Sequence, residues 1–157
     1  MSKIYIEQLL EKLEGKEYNI YMDQAGLPTI GIGHLLTKDE LMSGKIEIDG
    51  TPCKYQYGLS DQLIYDLLRQ DIHKYESVVI VMVTTPINHN QKVALTSFCY
   101  NVGMGAFNRS TLLKVLNQGN YEAVPDQLRR WNISGGRVVN GLKWRREKEI
   151  EVWNTPV

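Results

Sequence analysis

The length, composition and charge of this chain exclude several classes of protein. Its 157 residues, of which 43% are hydrophobic, are enough for one domain with a buried core, and that domain can be divided into two lobes. The longest apolar run covers only residues 78–83, which predicts no membrane insertion. The formal net charge is zero and no nucleic-acid recognition motif is present, so we expect no nucleic-acid partner.

Charge is distributed unevenly along the chain. Residues 1–108 carry 9 Lys and Arg against 13 Asp and Glu, whereas residues 109–157 carry 9 against 5. The basic second part is suited to facing an anionic polymer such as a cell wall or nucleic acid. A solvated helical surface explains the same charges equally well, and the sequence leaves both interpretations open.

Cysteine and histidine usage argues against a disulfide framework and against a metal site. Cys53 and Cys99 allow at most one bridge, and the charged, amphipathic N-terminal segment does not fit the pattern of a secretory signal. We therefore expect free thiols. His34, His73 and His89 lack the close spacing of metal ligands, so no metal is expected.

The first predicted element is a helix over residues 2–14. Ser2 can cap it, an apolar stripe follows, and Gly15 is the stop signal; the stripe consists of Ile6, Leu9, Leu10 and Leu13. Glu14 is thereby placed at the negative end of the helix dipole, where a carboxyl group holds its proton more tightly. This position suits a general acid, although a solvated surface glutamate is the simpler interpretation.

A β-rich lobe is predicted over about residues 15–59. Tyr18, Ile20 and Met22 alternate as in a strand, and Asp23 then precedes a turn at Gly26, where aspartate is commonly just a turn former. The next strand is predicted to place Thr29, Gly31 and Gly33 on one face, which the glycines would leave open to a ligand or another backbone. Residues 45–50 have the pattern of a strand followed by a turn.

Helices dominate the remainder of the chain. Ser60 caps a long linking helix over about residues 60–83, and a helical lobe follows over about residues 84–157. Its predicted helices lie around residues 88–103, 110–118, 123–131 and 142–153. The fold class is therefore α+β: a small β-rich N-terminal lobe joined by a long helix to a helical C-terminal lobe, with substrate expected in a cleft between the lobes.

The segments that contain Glu14 and Asp23 resemble the sequences of a known protein family. Leu13-Glu14-Gly15, Tyr21-Met22-Asp23 and residues 26–37 resemble the catalytic region of the phage-type lysozymes, glycoside hydrolase family 24. The likeness continues through residues 85–87, 97–103, 110–113, 135–136 and 141–146 and covers nearly the whole chain, least clearly residues 38–60.

This resemblance implies a lysozyme-like single domain over residues 1–157. It implies hydrolysis of the β-1,4 bond between N-acetylmuramic acid and N-acetylglucosamine in peptidoglycan, with no cofactor. Glu14 would be the general acid, Asp23 would orient or activate water, and Thr29 would hold that water. An inverting reaction is implied, which requires room for water between the carboxyl groups.

Further positions match the family by their place in the sequence. The matching substrate-contact positions are Leu35, Tyr100, Asn101 and Ser110, although ordinary core packing explains Leu35 and Tyr100 equally well. His34 and Asp71 match a structural ion pair. Arg145 or Arg146 matches a buried cation that faces Glu14, and both arginines are equally compatible with surface charge on the last helix.

The resemblance also implies a biological setting. A phage endolysin of this kind is expected to be a monomer that accumulates in the host cytoplasm and reaches the peptidoglycan glycan strand through a holin-type pore. Two other classes remain open. A lytic transglycosylase needs only one glutamate, so Asp23 and Thr29 argue against it, and an inactive wall-binding module would not need Glu14.

Overall fold

The computed structural model describes residues 2–157, whose contacts divide into two compact units. One unit is Glu7–His73 and the other combines residues 2–6 with Lys74–Val157. The long helix α3, Asp61–Met82, contributes its first part to one unit and its last part to the other. Its predicted cap is present, since Ser60 Oγ accepts a hydrogen bond from the Leu63 amide at 3.2 Å.

The unit Glu7–His73 contains small antiparallel sheets flanked by helices. Its elements are α1 (Ile6–Glu14), β1 (Glu17–Met22), β2 (Pro28–Gly31), β3 (His34–Leu35), α2 (Lys38–Ser43), β4 (Lys45–Ile48), β5 (Thr51–Lys54) and the first part of α3. One sheet has the order β1-β2-β3, and β4 pairs with β5 in a hairpin that matches the strand and turn predicted over residues 45–50. The mixture of helices and small sheets confirms the α+β class.

The first helix is shorter than predicted. It begins at Ile6 rather than at residue 2, so the assignment of Ser2 as its cap is wrong. The backbone that precedes α1 is bound by buried Asn90. The Asn90 side chain accepts a hydrogen bond from the Ile4 amide at 2.9 Å and donates one to the Ser2 carbonyl at 2.7 Å. These tertiary hydrogen bonds outweigh the helix propensity of residues 2–5. The other end agrees with the prediction, because α1 ends at Glu14 and Gly15 has φ +74°.

Two parts of the β-rich lobe also differ from the prediction. Strand β2 contains Thr29 and ends at Gly31, as its last residue, whereas Gly33 has φ +71° in a tight turn, so Gly33 does not continue the strand face predicted beside Thr29. Helix α2 was not predicted at all. Its signal is a capping box, in which Thr37 Oγ1 accepts from the Glu40 amide and the Glu40 carboxylate accepts from the Thr37 amide.

The second unit is mainly helical. After the end of α3 it contains α4 (His89–Val102), α5 (Met104–Asn108), α6 (Thr111–Asn117), a 3-10 turn (Tyr121–Ala123), α7 (Val124–Arg129), β6 (Ile133–Ser134), β7 (Arg137–Val138) and α8 (Asn140–Asn154). A helix occupies each range predicted to be helical, and α8 extends beyond its predicted range of residues 142–153 at both ends, whereas α5 and the β6-β7 hairpin were not predicted. Gly135 and Gly136 both have positive φ and form the hairpin turn.

Helix α4 is the centre of this second core. Most of its residues from Val93 to Tyr100 are fully buried, and it packs against α8. The Phe98 ring meets the rings of Phe107 and Trp131 edge-on, with centroids 6.2 and 5.4 Å away. Within residues 2–157, no helix combines the length and apolar character needed to cross a membrane.

Candidate active site

Asp23 follows β1 directly and holds a turn with one of its two carboxylate oxygens. Oδ1 accepts hydrogen bonds from the amides of Ala25 and Leu27 at 2.9 and 2.8 Å. The other oxygen, Oδ2, accepts no hydrogen bond from any residue in the range 2–157. Asp23 is therefore a turn former, and the same contacts fix its side chain while leaving one oxygen available for chemistry.

Thr29 is hydrogen-bonded to Leu27, which also binds Asp23. Its hydroxyl is buried with the rest of the side chain, at 3% exposure, and donates to the Leu27 carbonyl at 2.9 Å. The peptide groups of Leu27 thus hold both Asp23 and Thr29. Because the hydroxyl proton is already engaged, Thr29 Oγ1 can act toward a bound water only as an acceptor.

Glu14, at the end of α1, lies against the turn between β2 and β3. A Cβ atom added to Gly33 would lie 2.7 Å from Glu14 Cδ and 2.8 Å from Glu14 Oε1. The Glu14 carboxyl group therefore lies directly against Gly33, and any larger residue at position 33 would have to displace this carboxyl group. The predicted open glycine face is replaced by this close approach.

Tyr21 lies among these acidic groups. Burial raises the pKa of its phenol, and the negative charges of Glu14, Glu17 and Asp23 raise it further. Tyr21 pairs with Thr29 across the β1-β2 ladder, so the two side chains share one face of the sheet. Sequence reasoning assigned Tyr21 no role beyond the family resemblance.

His34 anchors the same turn through two carboxylates. Its Nδ1 lies 2.7 Å from Asp71 Oδ2, and its Nε2 lies 2.9 Å from Glu40 Oε1. Burial lowers the pKa of His34, but the hydrogen bonds to Asp71 and Glu40 outweigh that effect and raise the pKa to about 9. The ring is therefore charged at neutral pH and links β3 to α2 and α3. Sequence reasoning missed Glu40, which the capping box with Thr37 could have revealed.

The predicted substrate-contact residues are divided between the two units. Leu35 lies opposite Thr29 in the β2-β3 ladder and is 49% exposed. Tyr100, Asn101 and Ser110 belong to the helical unit. The Tyr100 ring is buried against Tyr75, with centroids 5.1 Å apart, and Asn101 is exposed and accepts a hydrogen bond from Arg146.

Ser110 has a structural role that is visible in its hydrogen bonds. Its hydroxyl donates to the Phe107 carbonyl at 2.7 Å and accepts from the Leu113 amide at 3.1 Å. These bonds cap helix α6, and the side chain is buried. A contact between Ser110 and substrate stays a prediction.

The two arginines of α8 are buried, so the interpretation of both as surface charge is wrong. Arg145 and Arg146 are 5% and 1% exposed, and their Nε atoms lie 3.3 and 3.2 Å from the two carboxylate oxygens of Glu149. Ser97 donates to the same carboxylate at 2.6 Å. Buried charges require such partners, which explains the network. The pairing of either arginine with Glu14 stays a prediction.

Other potentially reactive groups lie outside this site. Cys53 and Cys99 are free thiols, as predicted, and burial raises the pKa of Cys99 to about 12, which keeps that thiol protonated. Across residues 2–157, no group of three His, Cys, Asp or Glu side chains is arranged to hold a metal ion.

Comparison with known proteins identifies the family to which this chain belongs. A family model described as phage lysozyme matches residues 11–149, a range that contains Glu14, Asp23 and Thr29. The chain belongs to the phage lysozyme family of peptidoglycan-hydrolysing endolysins. This result confirms the family resemblance and the enzyme class that it implied.

Individual relatives agree with the family match. The chain is 34% identical over 147 residues to the SAR-endolysin of Escherichia phage Mu, which covers 94% of this chain and 77% of that protein. It is also 34% identical to the endolysin of Salmonella phage P22, over 89% of this chain and 88% of that protein. A Bacillus phage B103 endolysin is 38% identical over 127 residues, but the match spans only 43% of its length.

Solved structures of lysozymes share the fold. An endolysin from an Escherichia coli O157:H7 phage, FAHEc1, superposes with a TM-score of 0.77 at 31% identity, covering 100% of this chain and 96% of that one. A P22 lysozyme variant gives a TM-score of 0.75 at 30% identity, covering 99% and 100%. The predicted lysozyme-like fold is confirmed.

Proposed function

We propose that this enzyme cleaves the β-1,4 bond between N-acetylmuramic acid and N-acetylglucosamine, with Glu14 as general acid and Asp23 and Thr29 positioning the attacking water. The observation that carries this proposal is that Glu14 and Asp23 lie in one short segment, with Asp23 held by two backbone amides and the Glu14 carboxyl group in the space that a side chain at Gly33 would fill. Two positioned carboxyl groups are the usual equipment for glycoside hydrolysis.

The hydrogen bonds around Asp23 and Thr29 suit a water nucleophile. Asp23 Oδ2 can accept one hydrogen of the water, and Thr29 Oγ1 can accept the other because its own proton is donated to Leu27. A water held in this way keeps a lone pair for attack on the anomeric carbon. Glu14 then protonates the leaving oxygen while Asp23 takes the proton of the water, which is the inverting scheme.

The setting of the reaction is part of the proposal. The enzyme acts as a monomer that accumulates in the host cytoplasm and reaches the glycan strand after a holin-type pore permeabilises the membrane. The support is that the named relatives are phage endolysins. Sedimentation of the purified protein tests the monomer. Lysis of cells that express the enzyme with and without a holin tests the route, and lysis without the holin would contradict it.

Digestion of purified peptidoglycan tests the chemistry. The wild type should release sugars with hydrated reducing ends, Glu14→Gln should release none, and the matched control Glu17→Gln, at an exposed glutamate on β1, should retain activity. Mass spectrometry of the products separates hydrolysis from transglycosylation, since anhydro ends would contradict the proposal. The anomer that forms first, followed by NMR, should show inversion.

A further inference from the structure

The Tyr21 hydroxyl is exceptional among the tyrosines of the unit Glu7–His73. Tyr18, Tyr55 and Tyr65 all donate hydrogen bonds, to Asp61, to the Glu40 carbonyl and to Glu11 respectively, and Tyr57 is 92% exposed. Tyr21 is only partly exposed, yet its hydroxyl makes no hydrogen bond to any residue from 2 to 157. A partly buried phenol usually finds a partner, so this one is available to a ligand.

The position of Tyr21 places it in the candidate active site. Tyr21, Thr29 and Leu35 are direct partners across β1, β2 and β3, and they form one row on a single face of the sheet. Directly opposite side chains in such a row have Cβ atoms about 4.5–5.5 Å apart. Asp23 follows Tyr21 by two residues on the same chain segment. A tyrosine side chain is longer than threonine, so its hydroxyl reaches farther from the sheet, toward the level of a bound sugar.

The chemistry of the neighbours defines what Tyr21 can contribute. Asp23 offers only a carboxylate acceptor, and the Thr29 hydroxyl proton is engaged by Leu27. Burial, and after it the neighbouring carboxylates, raise the pKa of Tyr21, which keeps its phenol protonated and therefore a hydrogen-bond donor. Tyr21 therefore offers a hydrogen-bond donor, which neither Thr29 nor the nearby Asp23 can provide. A glycan strand presents many acceptors, including hydroxyl, ring and acetamido carbonyl oxygens.

We infer that Tyr21 is a further substrate-contacting residue, whose hydroxyl donates a hydrogen bond to an oxygen of the glycan strand beside the bond that is cleaved. This inference rests on the proposed function, because it assumes that the row of side chains faces the sugar. It assigns Tyr21 a binding role next to the acid and the water-positioning residues, and it gives the phenol no part in proton transfer.

Tyr21→Phe is the direct test, with Tyr18→Phe as a matched control on the same strand. Both variants lose one hydroxyl, but the Tyr18 hydroxyl bonds to Asp61. On purified peptidoglycan, kcat/KM of Tyr21→Phe should fall about three- to tenfold, the range expected for one lost hydrogen bond to an uncharged group. Tyr18→Phe should stay within about twofold of the wild type. Thermal unfolding should show Tyr21→Phe to be at least as stable as Tyr18→Phe.

Binding in the absence of cleavage provides a second measurement. A soluble fragment of alternating N-acetylglucosamine and N-acetylmuramic acid should bind Glu14→Gln about three- to tenfold more tightly than the double variant Glu14→Gln/Tyr21→Phe, measured by calorimetry. Equal affinities, or a Tyr21→Phe enzyme as active as Tyr18→Phe, would overturn the inference. A wild type that releases no sugars would overturn the proposed cleavage instead, and the binding comparison would still decide the role of Tyr21.

Discussion

Replacement of His34 by asparagine should remove a pH-dependent part of the stability. The ring is mostly buried, with a side-chain exposure of 11%, and is held between Asp71 and Glu40 at 2.7 and 2.9 Å. Asparagine retains hydrogen-bonding groups of similar size but cannot carry the charge. The substitution therefore tests the ion pairs more than the packing.

The raised pKa of His34 sets the size and the sign of the effect. The value rises from 6.5 to about 9 on folding, so the folded state binds the proton more tightly than the unfolded state. Each unit corresponds to about 1.4 kcal/mol, which gives a contribution of about 3 kcal/mol. That contribution is fully present below pH 6.5 and is lost as the pH rises through about 9.

Urea unfolding at pH 6 and pH 10 measures this difference. Relative to His34→Asn, the wild type should lose about 3 kcal/mol more of its free energy of unfolding over that interval. His73→Asn, at an exposed histidine of α3, is the control for replacing a histidine outside the pair of contacts with Asp71 and Glu40. A His34→Asn protein with the pH dependence of the wild type would refute the reasoning.

Three further substitutions distinguish residues needed for activity from a residue that stabilises the fold. Gly33→Ala should lower activity at least tenfold by displacing Glu14. Gly50→Ala, at a similarly positive φ but with no neighbour within 4 Å, should cost only about 1 kcal/mol of stability, and equal activity losses in the peptidoglycan assay would contradict this expectation. Thr29→Val should lower kcat more than Thr29→Ser, and equal values would exclude a role for the hydroxyl. Asn90→Ala should lower the free energy of unfolding in urea by about 2–4 kcal/mol and leave kcat unchanged. A loss below about 0.5 kcal/mol would contradict the role of Asn90 in holding the N-terminal backbone by hydrogen bonds.

Local signals in the sequence predicted the ends of the elements that carry the chemistry. Gly15 ends α1 directly after Glu14, and Gly26 forms the turn that Asp23 holds, because both glycines adopt a positive φ that other residues disfavour. The long periodic helix α3 was predicted within one residue at each end. These features depend on residues near one another in the chain, which a sequence pattern can reveal.

Features that depend on distant partners could not be predicted in the same way. The start of α1 is set by Asn90, whose hydrogen bonds join segments 86 to 88 residues apart in the chain. The burial of Arg145 and Arg146 depends on Ser97 and Glu149, and an arginine pair on a polar helix otherwise resembles surface charge. Helix α2 is different, since its capping box was visible in the sequence and was missed.

Backbone groups of two turns position Asp23 and Thr29 and leave room for Glu14. Asp23 is held by two amide groups and Thr29 by one carbonyl, and the Glu14 carboxyl group occupies the space that a side chain at Gly33 would fill. Such contacts depend on the conformation of the turns and not on the side chains that the turns carry. The identity of the residues at 24, 25 and 27 is therefore free to vary as long as the amides at 25 and 27 remain, whereas the glycine at 33 is not. The two short turns that connect β1, β2 and β3 in this way fix the side chains of Asp23 and Thr29 and provide the space that Glu14 occupies.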